Sequence, residues 1–291
     1  MKKYFLITCT IFVGIITTLS GHLASDLDTF LELECTIVPL ERHTPHSKKK
    51  NHSISRHLRR PEVSSHPLVP YDSASSTNWS GYVAQTSLTH PTNGSVTSVS
   101  GEWNVPALAR ASDTTYCAVW VGIDGFSNGT VEQIGTEHEW YNGAQINYAW
   151  FEMYPTGAYE LVGFPVNAHD LMGAEVNYVG NNVFQLIIIN YSRNTYTIIP
   201  SSYTKSSSAL RSSAEWIVEA PYYNGVLPLS HFGTLPWNNC SATIQGYTGP
   251  INYSRWAEES ITMKTVSGVT KALPSALIPG GKGFSVTWEH E

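Results

Sequence analysis

The stretch YCAVWVGIDGFSNGTVEQIGTEHEWYNGAQINYAWFEMY, residues 116–154, decides the fold. It holds apolar and aromatic runs at 116–123, 131–140 and 146–154, parted by segments containing Gly, Asn, Ser and Asp. Val, Ile, Tyr, Trp and Thr dominate these runs, and such side chains suit a pleated, packed strand. The same texture extends in both directions, through 78–85 and 96–103 before it and 174–179, 183–190, 195–199, 214–219, 260–266 and 284–289 after it. No amphipathic helical period and no internal repeat interrupts it. So many short strands between turn signals predict an all-β fold, an antiparallel β-sandwich in one domain spanning 73–291.

Composition supports a large core. Hydrophobic residues are 42% and aromatics 12%, while charged residues are 14%, well below a cytosolic helical protein built on Glu/Lys surfaces. Charge is divided along the chain. Residues 1–70 hold 9 basic against 6 acidic residues, and 71–291 hold 8 against 17, so the strand-rich part is net −9. A surface of that sign repels phosphates, which excludes nucleic acid as the expected partner.

The N-terminal part reads as processing signals. Lys2 and Lys3 precede an uncharged apolar run at 4–19 that ends among small residues, so 1–24 is expected to be a secretory signal peptide. The protein is then extracellular, with no membrane anchor once the leader is removed. Residues 25–72 read as a basic prosegment or linker. Within it, 26–40 is expected as a short docking helix, and 41–70 carries seven Lys+Arg, two Glu and five His with no apolar period. A stretch of that sign beside an acidic domain is expected to bind it near neutral pH as an intramolecular inhibitor. Acid should release it, with a cut between Arg60 and Ser76. Cys9 lies in the leader. Cys35, Cys117 and Cys240 remain, and loss of the prosegment would leave Cys117 and Cys240 free to pair.

Most catalytic signatures are missing. There is no G-x-S-x-G elbow, no H-E-x-x-H helix, no P-loop and no Asp in a D-T-G or D-S-G turn. Glu137, His138 and Glu139 are consecutive, so strand alternation would turn His138 away from both neighbours; a solvated turn is expected there, not a metal site. No metal or cofactor is called for. The residues that stand out are polar groups inside aromatic strands. Tyr148, Trp150 and Glu152 share one strand face, Glu215, Ile217 and Glu219 share another, and Gln133 lies inside VEQIG. A carboxylate on an aromatic face is a candidate for acid/base work, and the alternative is an exposed residue on the solvent side of a sheet.

Read together, the motifs NWSGYVA (78–84), VSGEWNVP (99–106), AVWVGIDG (118–125), EQIGTEHEWYNG (132–143), YAWFEMYP (148–155) and AEWIVEAP (214–221) resemble the eqolisin family, the glutamic peptidases. The resemblance implies a lectin-like β-sandwich of two large sheets and a secreted acid endopeptidase, monomeric, acting on protein and peptide substrates. It implies a catalytic dyad of Gln133 and Glu219, with Glu152 as a supporting glutamate. It matches Trp120, Trp150 and Trp79 to aromatic residues of the substrate cleft, and Asp124 to the Asp of the W-V-G-I-D-G turn. The chain departs from fungal members at Glu132 and Met153, in a longer stretch between Gln133 and Trp140, and in its cysteine pattern. Two other classes stay open on residues alone: a retaining glycosidase using Glu152 and Glu219 as paired carboxylates, and a carbohydrate- or protein-binding module.

Overall fold

The computed structural model describes residue 27, residues 29–40 and residues 73–291. The expected leader at 1–24, the basic stretch 41–70 and its cut site below residue 73 lie outside the described residues. Strands follow one another as β1 (Leu31–Glu32), β2 (Thr36–Pro39), β3 (Ser73–Ser76), β4 (Trp79–Gln85), β5 (Val96–Asn104), β6 (Thr115–Ile123), β7 (Val131–Tyr141), β8 (Ala144–Tyr154) and β9 (Ala158–Val162). They continue as β10 (Leu171–Gly180), β11 (Val183–Asn190), β12 (Thr195–Ile198), β13 (Ser213–Glu219), β14 (Thr234–Ile244), β15 (Tyr247–Gly249), β16 (Ala257–Lys264), β17 (Thr270–Pro274) and β18 (Phe284–Trp288).

Pairing arranges them in two layers. The first runs β3, β16, β4, β13, β6, β7, β8, β9, β2, and the second β18, β14, β5, β10, β11, β12, β1. Strand β17 bonds to β16 and to β18, so the ladder passes from one layer into the other. Every pairing between named strands is antiparallel except β1 with β12 and β3 with β16. Both exceptions are made by chain that precedes Asn78.

Alternation sorts each strand of the first layer into two faces. Tyr82, Val119, Val121, Ile134, Phe151 and Trp216 turn inward and meet Val99, Trp103, Val176, Leu186 and Trp237 of the second layer in one continuous core. Each such side chain contributes roughly 1.5–3 kcal/mol of burial, which fixes the register because a one-residue slip would expose the whole set. The opposite face is apolar too. Trp79, Val83, Ala118, Trp120, Tyr148, Trp150 and Ile217 form a second cluster on the outer side of that layer.

Two expectations are corrected here. Residues 30–40 do not form a helix: β1 and β2 add to the free edges of β12 and β9, the latter through the β-branched Thr36, Ile37 and Val38. Glu137, His138 and Glu139 are not in a turn but inside β7, each 0% exposed. Cys117 and Cys240 are both buried and unbridged.

Candidate active site

The outer cluster carries the polar side chains singled out in the sequence. Register places them in rows across the first layer. One row runs Val83, Glu215, Gly122, Gln133, Glu152, Ala158, the next Gly81, Ile217, Trp120, Gly135, Trp150, Glu160, and a third Trp79, Glu219, Ala118, Glu137, Tyr148. Gln133 and Glu219 thus share a face, on strands separated by β6. The carboxylate-bearing faces are not solvated, as one reading of the pattern allowed, because Glu152, Glu215 and Glu219 are all buried.

Two glycines make room for the central indole. A Cβ on Gly135 would lie 2.1 Å from the Val119 carbonyl oxygen and 2.6 Å from Trp120 Cβ, and one on Gly122 would lie 2.9 Å from the Trp120 ring. The ring therefore lies along the sheet over Gly122, and its Nε1 donates to Glu219 Oε2 at 2.8 Å. Asn78 Nδ2 donates to Glu219 Oε1 at 3.1 Å. Trp79 packs edge-on against Trp120 with centroids 4.9 Å apart.

Gln133 is oriented from the other side. Its Nε2 donates to Glu152 Oε2 at 2.8 Å, while its Oε1 accepts no hydrogen bond although fully buried. The indole Nε1 atoms of Trp79 and Trp150 are likewise buried without a partner. Nine-tenths or more of buried polar groups are normally paired, and leaving one unpaired costs about 1–3 kcal/mol. Two such donors and one such acceptor lie together on this aromatic face.

Asp124 supports the site from the end of β6. It adopts φ 72° and accepts from Arg211 N at 2.6 Å, Ser212 N at 2.8 Å, Ser212 Oγ at 3.0 Å and Asn128 Nδ2 at 2.6 Å. These bonds tie the turn after Trp120 to the segment that leads into β13 and Glu219. Glu215, in the Gln133 row, is held by Ser213 Oγ at 2.7 Å and Phe126 N at 3.1 Å. Glu132 points into the core and accepts from Ser206 Oγ at 2.7 Å. Burial pushes both carboxyls well above the usual range, and the Asp124 charge adds to each. Both therefore hold their protons to higher pH than an ordinary carboxyl does.

Several residues of this face escape a reading of the sequence. Asn78 reaches Glu219 across 141 residues of chain, so only strand register reveals it. Glu137 and Glu139 line the same face as Gln133, and Tyr148 donates to Glu139 at 2.6 Å. Their alternate spacing in EQIGTEHE was a usable signal. His138, on the core side, bonds Thr136 Oγ1 and Asn147 Oδ1, and burial lowers it to about 4.

Comparison with known proteins gives the frame for this geometry. The profile of the Peptidase A4 family matches residues 77–288. Aspergillopepsin-2 of Aspergillus niger is 26% identical over 198 residues, which is 60% of this chain and 67% of that protein. Scytalido-glutamic peptidase, solved with a peptide-based transition-state analogue, superimposes with TM-score 0.59 at 20% identity over 73% of this chain and 98% of its own. Aspergilloglutamic peptidase from Aspergillus niger gives 0.52 at 22% identity over 60% and 99%. At such identities the structural likeness establishes the shared fold.

Proposed function

This chain belongs to the Peptidase A4 family and is a peptide hydrolase, and from that premise we propose that it is a secreted acid endopeptidase whose chemistry is carried by Gln133 and Glu219. A peptide hydrolase leaves no place for the glycosidase or binding-module readings. The observation that supports the dyad is the polarity of the outer face: a carboxylate held by two N–H donors, and a glutamine clamped through its nitrogen with its carbonyl oxygen left open.

Glu219 takes a proton from the attacking water as the oxygen adds to the scissile carbonyl carbon. Two N–H donors aimed at its oxygens suit the charged carboxylate that a general base must be. Gln133 Oε1 accepts from the same water and orients it. The Nε2 hydrogen not directed at Glu152 faces the developing oxyanion, a contact worth ~3 kcal/mol in the transition state. Glu219 then passes its proton to the leaving amine as the C–N bond breaks, and the products are a carboxylic acid and an amine. A carboxylate with a reference value near ~4.3 cycles in acid, where a histidine base is already protonated. Glu152 fixes the amide orientation, Trp79, Trp120 and Trp150 supply apolar walls, and the indole N–H groups of Trp79 and Trp150 are left for the peptide backbone. The 1–24 leader directs export, the N-terminal segment restrains the enzyme before processing, and the catalytic domain acts as a monomer.

Casein hydrolysis by the purified protein at about pH 3 and about pH 7 tests the reading. Turnover confined to acid, and lost by at least ~100-fold in Glu219→Gln and in Gln133→Ala with the fold intact, is the expected result. Retention of a tenth or more of the parental rate in either variant removes the dyad assignment.

A further inference from the structure

The residues of the outer face are closed off in the full chain: Gln133 and Glu219 are each 1% exposed. A site that takes a polypeptide has to open, so what covers it matters. The described chain supplies one covering element. Strand β2 pairs antiparallel with the outer edge of β9, from Thr36 opposite Val162 to Pro39 opposite Tyr159, and Leu40 N donates to Ala158 O at 3.0 Å. Leu40 therefore extends the row that continues through Ala158 and Glu152 to Gln133. At about 4.8 Å per strand it lies on the order of 10 Å from Glu152 and 14 Å from Gln133.

The side chains follow the pleat. Ile37 turns to the main core, whereas Leu40 is 5% exposed and packs in the cluster of Trp79, Trp120 and Trp150. The upstream chain is anchored on the other layer, where Leu27 packs with Ile187, Ile189 and Tyr196, and Phe30 stacks edge-on against Tyr191. This is strand addition by an extended peptide: the backbone bonds to a free edge and an alternate side chain fills a pocket.

We propose that the outer edge of β9 and the tryptophan pocket beside it form a subsite for an extended peptide substrate, filled in the uncut chain by β2 and Leu40. The inference rests on the peptidase reading and deepens it. Backbone pairing to 158–162 accepts any sequence in extended form, and the pocket selects a large aliphatic side chain at the position of Leu40. While β2 stays paired, that subsite is closed.

Two measurements on the full chain test this. In the first, initial rates on a fluorogenic extended peptide at about pH 4 are compared between the parent, Leu40→Asp, the milder Leu40→Ala and the exposed-site control Glu34→Gln, with intact mass read alongside. Leu40→Asp is expected to act at least about tenfold faster than the parent before any N-terminal cut, the scale set by expelling one buried aliphatic side chain, with Leu40→Ala between them and Glu34→Gln unchanged. Equal rates before the cut, with equal activity after it, would overturn the proposal. In the second, a synthetic peptide of residues 34–40 carrying Cys35→Ser is titrated against the full chain bearing Leu40→Asp and Glu219→Gln, following tryptophan fluorescence. Saturable binding, weakened about tenfold or more by Leu40→Asp in the peptide, upholds the subsite. No binding, or equal binding by the two peptides, overturns it. If every form is inactive, the dyad chemistry fails, and the titration still decides the subsite.

Discussion

Neutral His138 sits wholly inside the core, and acid should charge it at the cost of the fold. Its ordinary value is 6.5 and burial lowers it to about 4, with Asn147 only partly opposing. A base whose folded value is depressed takes up protons more readily when unfolded, so stability falls as pH drops below 6.5 and levels out below about 4. From these two values the penalty is about 0.2 kcal/mol at pH 7 and about 3 kcal/mol at pH 4. Replacing His138 by Gln keeps a donor and an acceptor near Thr136 and Asn147 but cannot titrate. The substitution costs about 1–2 kcal/mol at every pH through altered packing and hydrogen bonding. Relative to the parent it should therefore gain about 3 kcal/mol between pH 7 and pH 4, or roughly 6–12 °C in Tm for a domain of this size. Thermal unfolding followed by circular dichroism, with both proteins in a Glu219→Gln background to prevent self-digestion, measures that difference directly. If the Tm gap between them is the same at pH 4 and pH 7, His138 is not the buried base described here.

The neutral acids give the opposite slope. Glu132 and Glu215 have folded values raised well above 4.5, so the stability they permit is present in acid and is lost as pH rises; Glu132→Gln should flatten the fall in Tm as pH rises above 4.5, and an unchanged fall would count against a raised Glu132. Gly135→Ala places a Cβ 2.1 Å from the Val119 carbonyl oxygen, so β6 and β7 must part; a loss of about 1–3 kcal/mol in urea unfolding together with reduced peptidase activity is expected. Asp124→Asn weakens the bonds to Arg211 N and Ser212 N that hold the approach to β13; it should lower kcat and Tm together without moving the pH profile, and a shifted profile would instead make Asp124 part of the proton chemistry.

The strands with clean alternation were legible from the sequence to within a few residues, 183–190 to its ends and 131–140 to one residue beyond. Those missed have identifiable reasons. Strand β14 contains Pro236 and carries Asn239 at φ 49°, where the register with β5 slips, so its sequence reads as a turn. Strand β9 is five residues long and lies between Gly157 and Gly163. Residues 31–32 and 36–39 become strands because free edges of β12 and β9 await them, a pairing that the β-branched Thr36, Ile37 and Val38 suit but do not reveal by themselves. Faces followed the same rule: the i, i+2 sets Tyr148, Trp150, Glu152 and Glu215, Ile217, Glu219 were visible, but which side of the sheet is buried depends on what packs against it. Partners across strands, such as Asn78 for Glu219 and Glu152 for Gln133, depend on register and stay invisible until the sheet is assembled.

The buried titratable groups of the core give the fold its own response to pH. Asp124 accepts from backbone and side-chain donors at the end of β6, while Glu132 and Glu215 lie close enough for its charge to raise both. Ionising either acid would place a second buried charge beside the first, and the hydrogen bonds these carboxyls accept come from Ser206, Ser213 and the backbone of Phe126, all of them neutral donors. Amides or apolar side chains of similar volume would fill the same space without a titration; in their protonated form Glu132 and Glu215 add no charge beside Asp124. His138 sets the other boundary, since it is harmless when neutral and disruptive once charged. The stability of the fold is thus limited from above by two carboxyls and from below by one imidazole. The sheet that carries Gln133 and Glu219 holds these groups as well, so loss of the fold at either limit removes the active face with it.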